Sequence, residues 1–195
     1  MGFKAAWSAY PQKEEQIPMR IPTTYADWVD CFERFVEGQD DEEMLYLMEQ
    51  GTLEWKPVVA EKLTQRVYAV IEFRLKQASE QLNLGLSRAG NHETEIVSVL
   101  VNARKRFAKI KRVASLQAFP ANVQHTMNDV LSRYVQDTQA SLEESARSDR
   151  SGQLRMTLKN NSLVRYDELK AETGLYTQPS QKGMAQNPKK RRVIF

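Results

Sequence analysis

An apolar stripe through the middle of the chain limits the possible folds more than any other feature. Between positions 56 and 84, apolar side chains recur every three or four residues, which is the spacing of one face of an α-helix. The stripe comprises Val59, Leu63, Val67, Val70, Ile71, Leu75, Ala78 and Leu82. Pro57 suits the first turn of this helix, where a backbone N–H has no helical partner. A stripe of about seven turns needs a partner of similar length, so it predicts a helical bundle.

Further helices are predicted on both sides of this stripe from apolar spacing and capping residues. They run from Thr23 or Thr24 to Gly38, from Asp40 to Gly51, from about His92 to Ser115 and, after Phe119–Pro120, to about Ser148. The stretch from Gly85 to Gly90 is expected to form a loop, with Asn91 capping the helix that follows. Acidic residues at 40–43 are interpreted as favourable charges at a helix N-terminus rather than as a metal or acid–base cluster.

Three long helices joined by short loops are expected to pack antiparallel. The predicted fold is therefore all-α: an antiparallel bundle of three long helices with shorter N-terminal helices. Beyond it, Leu154, Met156 and Leu158 alternate with polar residues, which favours a short strand or an extended segment. A small helix is expected from Leu163 to about Glu172.

The domain organisation follows from proline and low-complexity segments at the two ends. Residues 1–22 contain three prolines, which exclude a long helix and predict an extended N-terminal arm. Residues 23–174 form the predicted bundle domain. Residues 175–195, rich in Gln, Pro, Ser, Lys and Asn, are expected to be a flexible basic tail.

The formal net charge of +3 conceals a gradient along the chain. The first fifty residues contain 4 basic and 11 acidic side chains, whereas residues 151–195 contain 9 and 3. Such asymmetry indicates a polyanionic partner or a charged tail. It is equally what a chain would show if its acidic start packed beside its basic end, within one subunit or between subunits.

The sharpest local feature is a run of six cations within residues 104–112. Helical geometry places Lys105, Lys109 and Arg112 opposite the apolar face, with Arg104 and Lys111 on one flank and Arg106 on the other. The candidate set consists of Arg104, Lys105, Lys109, Lys111 and Arg112. These five residues are the candidate contacts to nucleic-acid phosphates, with counterion release supplying the affinity. The alternative is a solvated face, or ion pairs with acids of the next helix. Those acids are Asp129, Asp137, Glu143 and Glu144.

The two ends of the chain contain the remaining candidate contacts. The basic cluster consists of Lys189, Lys190, Arg191 and Arg192, and these residues are predicted to assist phosphate binding. Pro188 to Arg192 resembles a monopartite nuclear-import signal, and Lys190 to Phe195 resembles the cyclin-docking peptide of some kinase inhibitors. The candidate residues for a protein partner are aromatic or apolar: Trp7, Tyr10, Val193, Ile194 and Phe195.

Catalytic and metal motifs are missing from the sequence. The two histidines, His92 and His125, form no ligand pair, and no GxSxG, GxxxxGK[ST] or GxGxxG motif occurs. No Glu-x-x-His motif is present, which argues against the di-metal site found in some helical bundles. We therefore expect no enzyme activity, no cofactor and no metal.

Two functions remain. The first is a non-catalytic helical subunit that binds nucleic-acid backbone without sequence specificity, within a larger nucleoprotein assembly. The second is a structural or adaptor protein that self-assembles or scaffolds a complex through protein–protein contacts. A single cysteine and no apolar run of about 20 residues predict a soluble cytoplasmic protein without a membrane partner, or a nuclear one in a eukaryotic or viral setting.

Overall fold

The computed structural model describes residues 20–168, which form an all-helical fold. Six α-helices are followed by a short 3-10 helix at Leu163–Glu168. The α-helices are α1 (Tyr25–Glu37), α2 (Glu42–Glu49), α3 (Pro57–Ala89), α4 (Glu93–Ala114), α5 (Ala121–Ser148) and α6 (Gln153–Asn160). This result confirms the predicted fold class. Among these helices none is long and apolar enough to cross a bilayer.

The ends of α1 match the sequence prediction residue by residue. The Thr24 side chain accepts a hydrogen bond from the Asp27 backbone, and the Asp27 carboxylate accepts one from the Thr24 backbone, which completes a capping box. At the other end, Gly38 has a φ of 87°, a left-handed conformation that favours glycine. Asp41 caps α2 by accepting a hydrogen bond from the Met44 backbone at 2.8 Å.

The third helix is longer than predicted, because the segment expected to be a loop at 85–90 continues α3 through Ala89. The apolar stripe continues there: Ala89 is buried, and Leu86 packs against the core. Gly85 therefore lies inside a helix, where it allows close packing of Val99 from α4. A Cβ at position 85 would lie 2.8 Å from a methyl carbon of Val99. The predicted Asn91 cap is also wrong, since His92 occupies the N-cap position of α4.

The core joins the long helices to the N-terminal ones through aromatic rings. The three long helices contact one another, and α1 packs on α3. The ring centroids of Trp28 and Phe32 in α1 lie 5.6 and 6.1 Å from that of Phe119, which precedes α5. The indole N–H of Trp28 donates to the Thr52 carbonyl at 3.1 Å, so its one polar group is satisfied.

The segment after α5 is helical, so the predicted strand or extended segment around 154–158 is wrong. It forms α6, in which Thr157 and Leu158 are buried. The following 3-10 helix buries Leu163 and Tyr166, and the Tyr166 ring lies 6.4 Å from that of Phe107 in α4. The predicted small helix begins at Leu163 as expected, and its part beyond Glu168 lies outside the described residues.

Candidate functional site

The cationic run of α4 faces an acidic segment of the same chain. The carboxylate of Asp40, between α1 and α2, contacts basic side chains from two different helices. Its Oδ2 accepts a hydrogen bond from Arg74 Nη2 of α3 at 2.7 Å, and its Oδ1 lies 3.3 Å from Lys109 Nζ of α4. Lys109 also donates to the Asp40 backbone carbonyl at 2.6 Å. Lys109 is thus part of the packing between the N-terminal segment and the long helices.

Arg112 is paired with both ends of α2. Its Nε donates to Glu49 Oε1 at 2.7 Å, and its Nη1 donates to Glu42 Oε2 at 2.6 Å. The Arg112 side chain is only 18% exposed in this arrangement. Its charge is therefore used to hold α2 on α4.

The two flanking cations of α4 contact the 3-10 helix. Arg104 Nη2 donates to the Arg165 carbonyl at 2.9 Å. Lys111 forms an ion pair with Asp167, and its ammonium lies 5.6 Å from the centroid of the Tyr166 ring. Both side chains therefore fasten the C-terminal end of the described chain to α4.

The structure therefore places four of the five predicted α4 contacts in intramolecular interactions: Lys109, Lys111 and Arg112 pair with acids, and Arg104 donates to a backbone carbonyl. Lys105 has no hydrogen-bond or ion-pair partner within residues 20–168. The acids involved belong to α2, the segment before it and the 3-10 helix. The predicted pairing with Asp129, Asp137, Glu143 and Glu144 of α5 is wrong, because none of these contacts a cation of α4. Arg106, which the prediction left out, is a second unpaired cation of α4 within residues 20–168.

A cavity of about 420 Å³ lies between the end of α1, α3 and α4. Its charged lining consists of Glu37, Asp40, Arg74, Lys105, Arg106 and Lys109. Burial lowers the pKa of the Arg74 guanidinium, Asp40 opposes this effect, and the charge of Arg106 lowers the pKa further. Sequence reasoning missed Arg74, because a cation at a position of the apolar stripe gives no signal until its carboxylate partner is located.

A second basic surface lies where α5 meets α6. A groove of about 400 Å³ is lined by Arg147, Arg155 and Lys159, together with Glu143. None of the three cations forms an ion pair within the described chain. The three are spread over two elements that the sequence prediction treated as a helix and a strand, so their proximity was not foreseen.

Groups suited to acid–base or nucleophilic chemistry are separate from these surfaces. Burial raises the pKa of the Cys31 thiol to about 11, which keeps it protonated at neutral pH. His125 lies 3.5 Å from Asp129 on the exposed side of α5. Across residues 20–168, no three His, Cys, Asp or Glu side chains are grouped as a metal site would require.

The remaining predicted contact residues lie outside the described residues: Trp7, Tyr10, Lys189, Lys190, Arg191, Arg192, Val193, Ile194 and Phe195. No known protein family, curated protein or solved structure matches this chain. Its function has to be argued from the contacts and charges described above.

Proposed function

We propose that this protein is a non-catalytic structural or adaptor protein that acts through protein–protein contacts, beginning with its own self-association. The observation that carries the proposal is an apolar edge on α3 that is exposed in the described structure. Phe73 is 49% exposed and Leu84 is 57% exposed, although α3 packs on α1, α4 and α5. Four of the five α4 cations predicted to contact nucleic acid are meanwhile engaged in contacts inside the fold.

This edge has a spacing suited to helix–helix contact. Residues 73, 77, 80 and 84 recur at intervals of four, three and four, so they share one face of α3. The spacing is symmetric about the midpoint between positions 78 and 79. If two copies of α3 cross antiparallel around a two-fold axis at that point, Phe73 of each copy meets Leu84 of the other.

Two charges on this face are nearly symmetric about the same point, since positions 76 and 80 have their midpoint at 78. Lys76 and Glu80 are exposed, and neither forms an ion pair in the described structure. The two-fold arrangement brings Lys76 of one copy beside Glu80 of the other, and does so twice. Two apolar contacts framed by two ion pairs form a small interface, which corresponds to a reversible dimer rather than an obligate one.

Sedimentation equilibrium of the full chain over a range of concentrations tests the proposal. We expect a monomer–dimer equilibrium that shifts to monomer in Phe73→Ser/Leu84→Ser. Met156→Ser is the matched control, because Met156 of α6 is 71% exposed and lies outside the edge. A wild-type chain that stays monomeric up to about millimolar concentration would exclude this contact.

Charge reversal provides a stricter test of the geometry. Lys76→Glu should weaken the dimer, because each new carboxylate faces Glu80 of the other copy. Lys76→Glu/Glu80→Lys should restore it, since the pairs are re-formed in the opposite sense. If the double variant is as weak as the single one, the antiparallel α3 arrangement is wrong.

Nucleic-acid backbone binding is the second candidate, supported by the groove at the α5–α6 junction. Arg147, Arg155 and Lys159 are exposed and unpaired in the described chain, which is the state that contact with phosphates requires. This surface replaces the paired cations of α4 as the proposed contact.

Fluorescence anisotropy with single- and double-stranded oligonucleotides of unrelated sequence, measured across a salt series, tests this candidate. Arg147→Ala/Arg155→Ala/Lys159→Ala should weaken binding and flatten the salt dependence, by about 0.7–0.9 in the log–log slope per lost contact. The control removes three scattered exposed cations, Lys62, Arg88 and Arg133. A chain without residues 175–195 measures the part played by the basic tail. If both triple variants lose the same affinity, binding depends on net charge and the α5–α6 groove is not a specific contact surface.

A further inference from the structure

The cavity between α1, α3 and α4 has an excess of positive charge that the described chain does not balance. Four cations and two carboxylates line it, which leaves two positive charges. Asp40 is already shared between Arg74 and Lys109, whereas Lys105 and Arg106 have no carboxylate partner in this part of the chain. An unbalanced charge of this size in a partly enclosed space favours an anionic ligand.

Arg74 is the most informative group in this cavity. Its side chain is 7% exposed, and its Nε has no hydrogen-bond partner among the described residues. Its two terminal nitrogens donate to Asp40 and to Gln77, and the guanidinium lies over the Phe35 ring at 4.7 Å. These contacts hold a buried cation rigidly at the wall of the cavity, where it cannot turn away toward solvent. A fixed guanidinium binds an oxyanion with little loss of side-chain freedom.

We propose that this cavity binds the phosphoryl group of a small phosphorylated molecule. A phosphate monoester carries up to two negative charges at neutral pH, which equals the excess positive charge of the lining. The exposed Lys105 and the half-buried Arg106 supply donors that have no other partner in the described chain, and the more buried Arg74 and Lys109 add their charge to the same lining. The volume of about 420 Å³ falls within the range of sites for small molecules.

The partly enclosed shape and the carboxylates favour a small ligand over a nucleic-acid strand. Glu37 and Asp40 both line the cavity, so a long polyanion that crosses it would meet negative charge beside the cationic positions. A compact phosphoryl group can instead contact the cations of the lining without extending over both carboxylates. The cavity borders the self-association edge, since Gln77 lines both, but its cations come from Arg74 and α4 and it shares no residue with the α5–α6 groove. Anion binding there goes beyond the function proposed above.

Isothermal titration of the full chain with pyrophosphate, at constant ionic strength, tests the proposal. We expect saturable binding of one pyrophosphate per chain. Lys105→Ala/Arg106→Ala should weaken the affinity by about tenfold or more, because two charge-assisted contacts are lost. Neither side chain forms an ion pair in the described structure, so the fold should be retained. Arg155→Ala/Lys159→Ala is the matched control, since it removes the same charge from the distant groove and should change the affinity by less than about twofold.

A second variant tests the site without removing a cation. Gln81 is exposed and lines the cavity, so Gln81→Glu adds a carboxylate at its wall and should also weaken pyrophosphate binding. The proposal is overturned if wild type shows no saturable binding, or if both double variants weaken it equally. It is also overturned if an oligothymidylate binds more tightly than pyrophosphate and is the ligand lost in Lys105→Ala/Arg106→Ala.

Discussion

Asp40 and Arg74 are 34 positions apart in the chain, yet Arg74 Nη2 donates to Asp40 Oδ2 at 2.7 Å. The pair joins the segment before α2 to the middle of α3, and Lys109 adds a contact from α4 to the same carboxylate. Within the described residues, three acids of the N-terminal part, Asp40, Glu42 and Glu49, are therefore paired with cations of α3 and α4 in one subunit.

Replacing Asp40 with Ala should destabilise the fold by about 2–3 kcal/mol. The substitution leaves the buried Arg74 guanidinium without its carboxylate and removes a partner of Lys109. Urea unfolding followed by circular dichroism measures the loss. In Arg74→Met/Asp40→Asn the loss should be much smaller, because the buried cation is replaced by an apolar side chain of similar length. If the loss in the double variant equals the sum of the losses in Asp40→Asn and Arg74→Met measured singly, the two residues are not coupled.

Arg112→Ala should lower the free energy of unfolding by about 1 kcal/mol. Arg112 contacts Glu42 and Glu49, and its removal weakens the attachment of α2 to α4. The matched control is Lys105→Ala, which removes an unpaired cation from the same helix and should stay within about 0.5 kcal/mol of wild type. Thermal or urea unfolding of both variants gives the comparison. A larger loss in Lys105→Ala would contradict the assignment of Arg112 as the structural cation.

Capping residues and apolar spacing predicted most of the helices, but they could not predict which side chains pair between helices. Thr24 and Gly38 identified the ends of α1, because capping depends on neighbouring residues alone. The prediction for the α6 segment was wrong because Leu154 and Leu158 fit helical spacing as well as strand alternation. Met156, whose position suggested a strand, is 71% exposed. The cationic residues of α4 were found from the sequence, but their partners were not. Which acid reaches Lys109 or Arg112 depends on where α2 packs, and helical spacing does not fix that position.

Gly85→Ala should destabilise the protein by about 1 kcal/mol, although alanine is the better helix former. The added Cβ would lie 2.8 and 2.9 Å from the two methyl carbons of Val99, and a β-branched side chain has little freedom to move aside. The double variant Gly85→Ala/Val99→Ala should be more stable than the two single losses predict, by about 1 kcal/mol of coupling. Additive losses in urea unfolding would show that α3 and α4 separate easily at this point.

The stability contribution of Asp27 should depend on pH. The Thr24 hydroxyl donates to the Asp27 carboxylate, Arg20 adds an ion pair at 2.7 Å, and the backbone N–H groups of Thr24 and Thr23 also donate to it. These contacts hold the pKa of Asp27 well below its ordinary value of 3.8. A carboxylate with a lowered folded-state pKa stabilises the fold above its unfolded-state pKa, and this stabilisation is lost as the pH falls toward the lowered value.

Asp27→Asn should therefore be less stable than wild type at neutral pH, and the difference should shrink once the pH falls below about 4. Urea midpoints of both proteins at about pH 7, 4 and 2.5 measure this change. Thr24→Ala removes the hydroxyl that lowers the pKa most, so the pKa of Asp27 should rise toward its ordinary value and can be followed by carbon NMR of the carboxyl group. A difference between wild type and Asp27→Asn that is the same at all three pH values would mean that the capping box acts through packing and neutral hydrogen bonds alone.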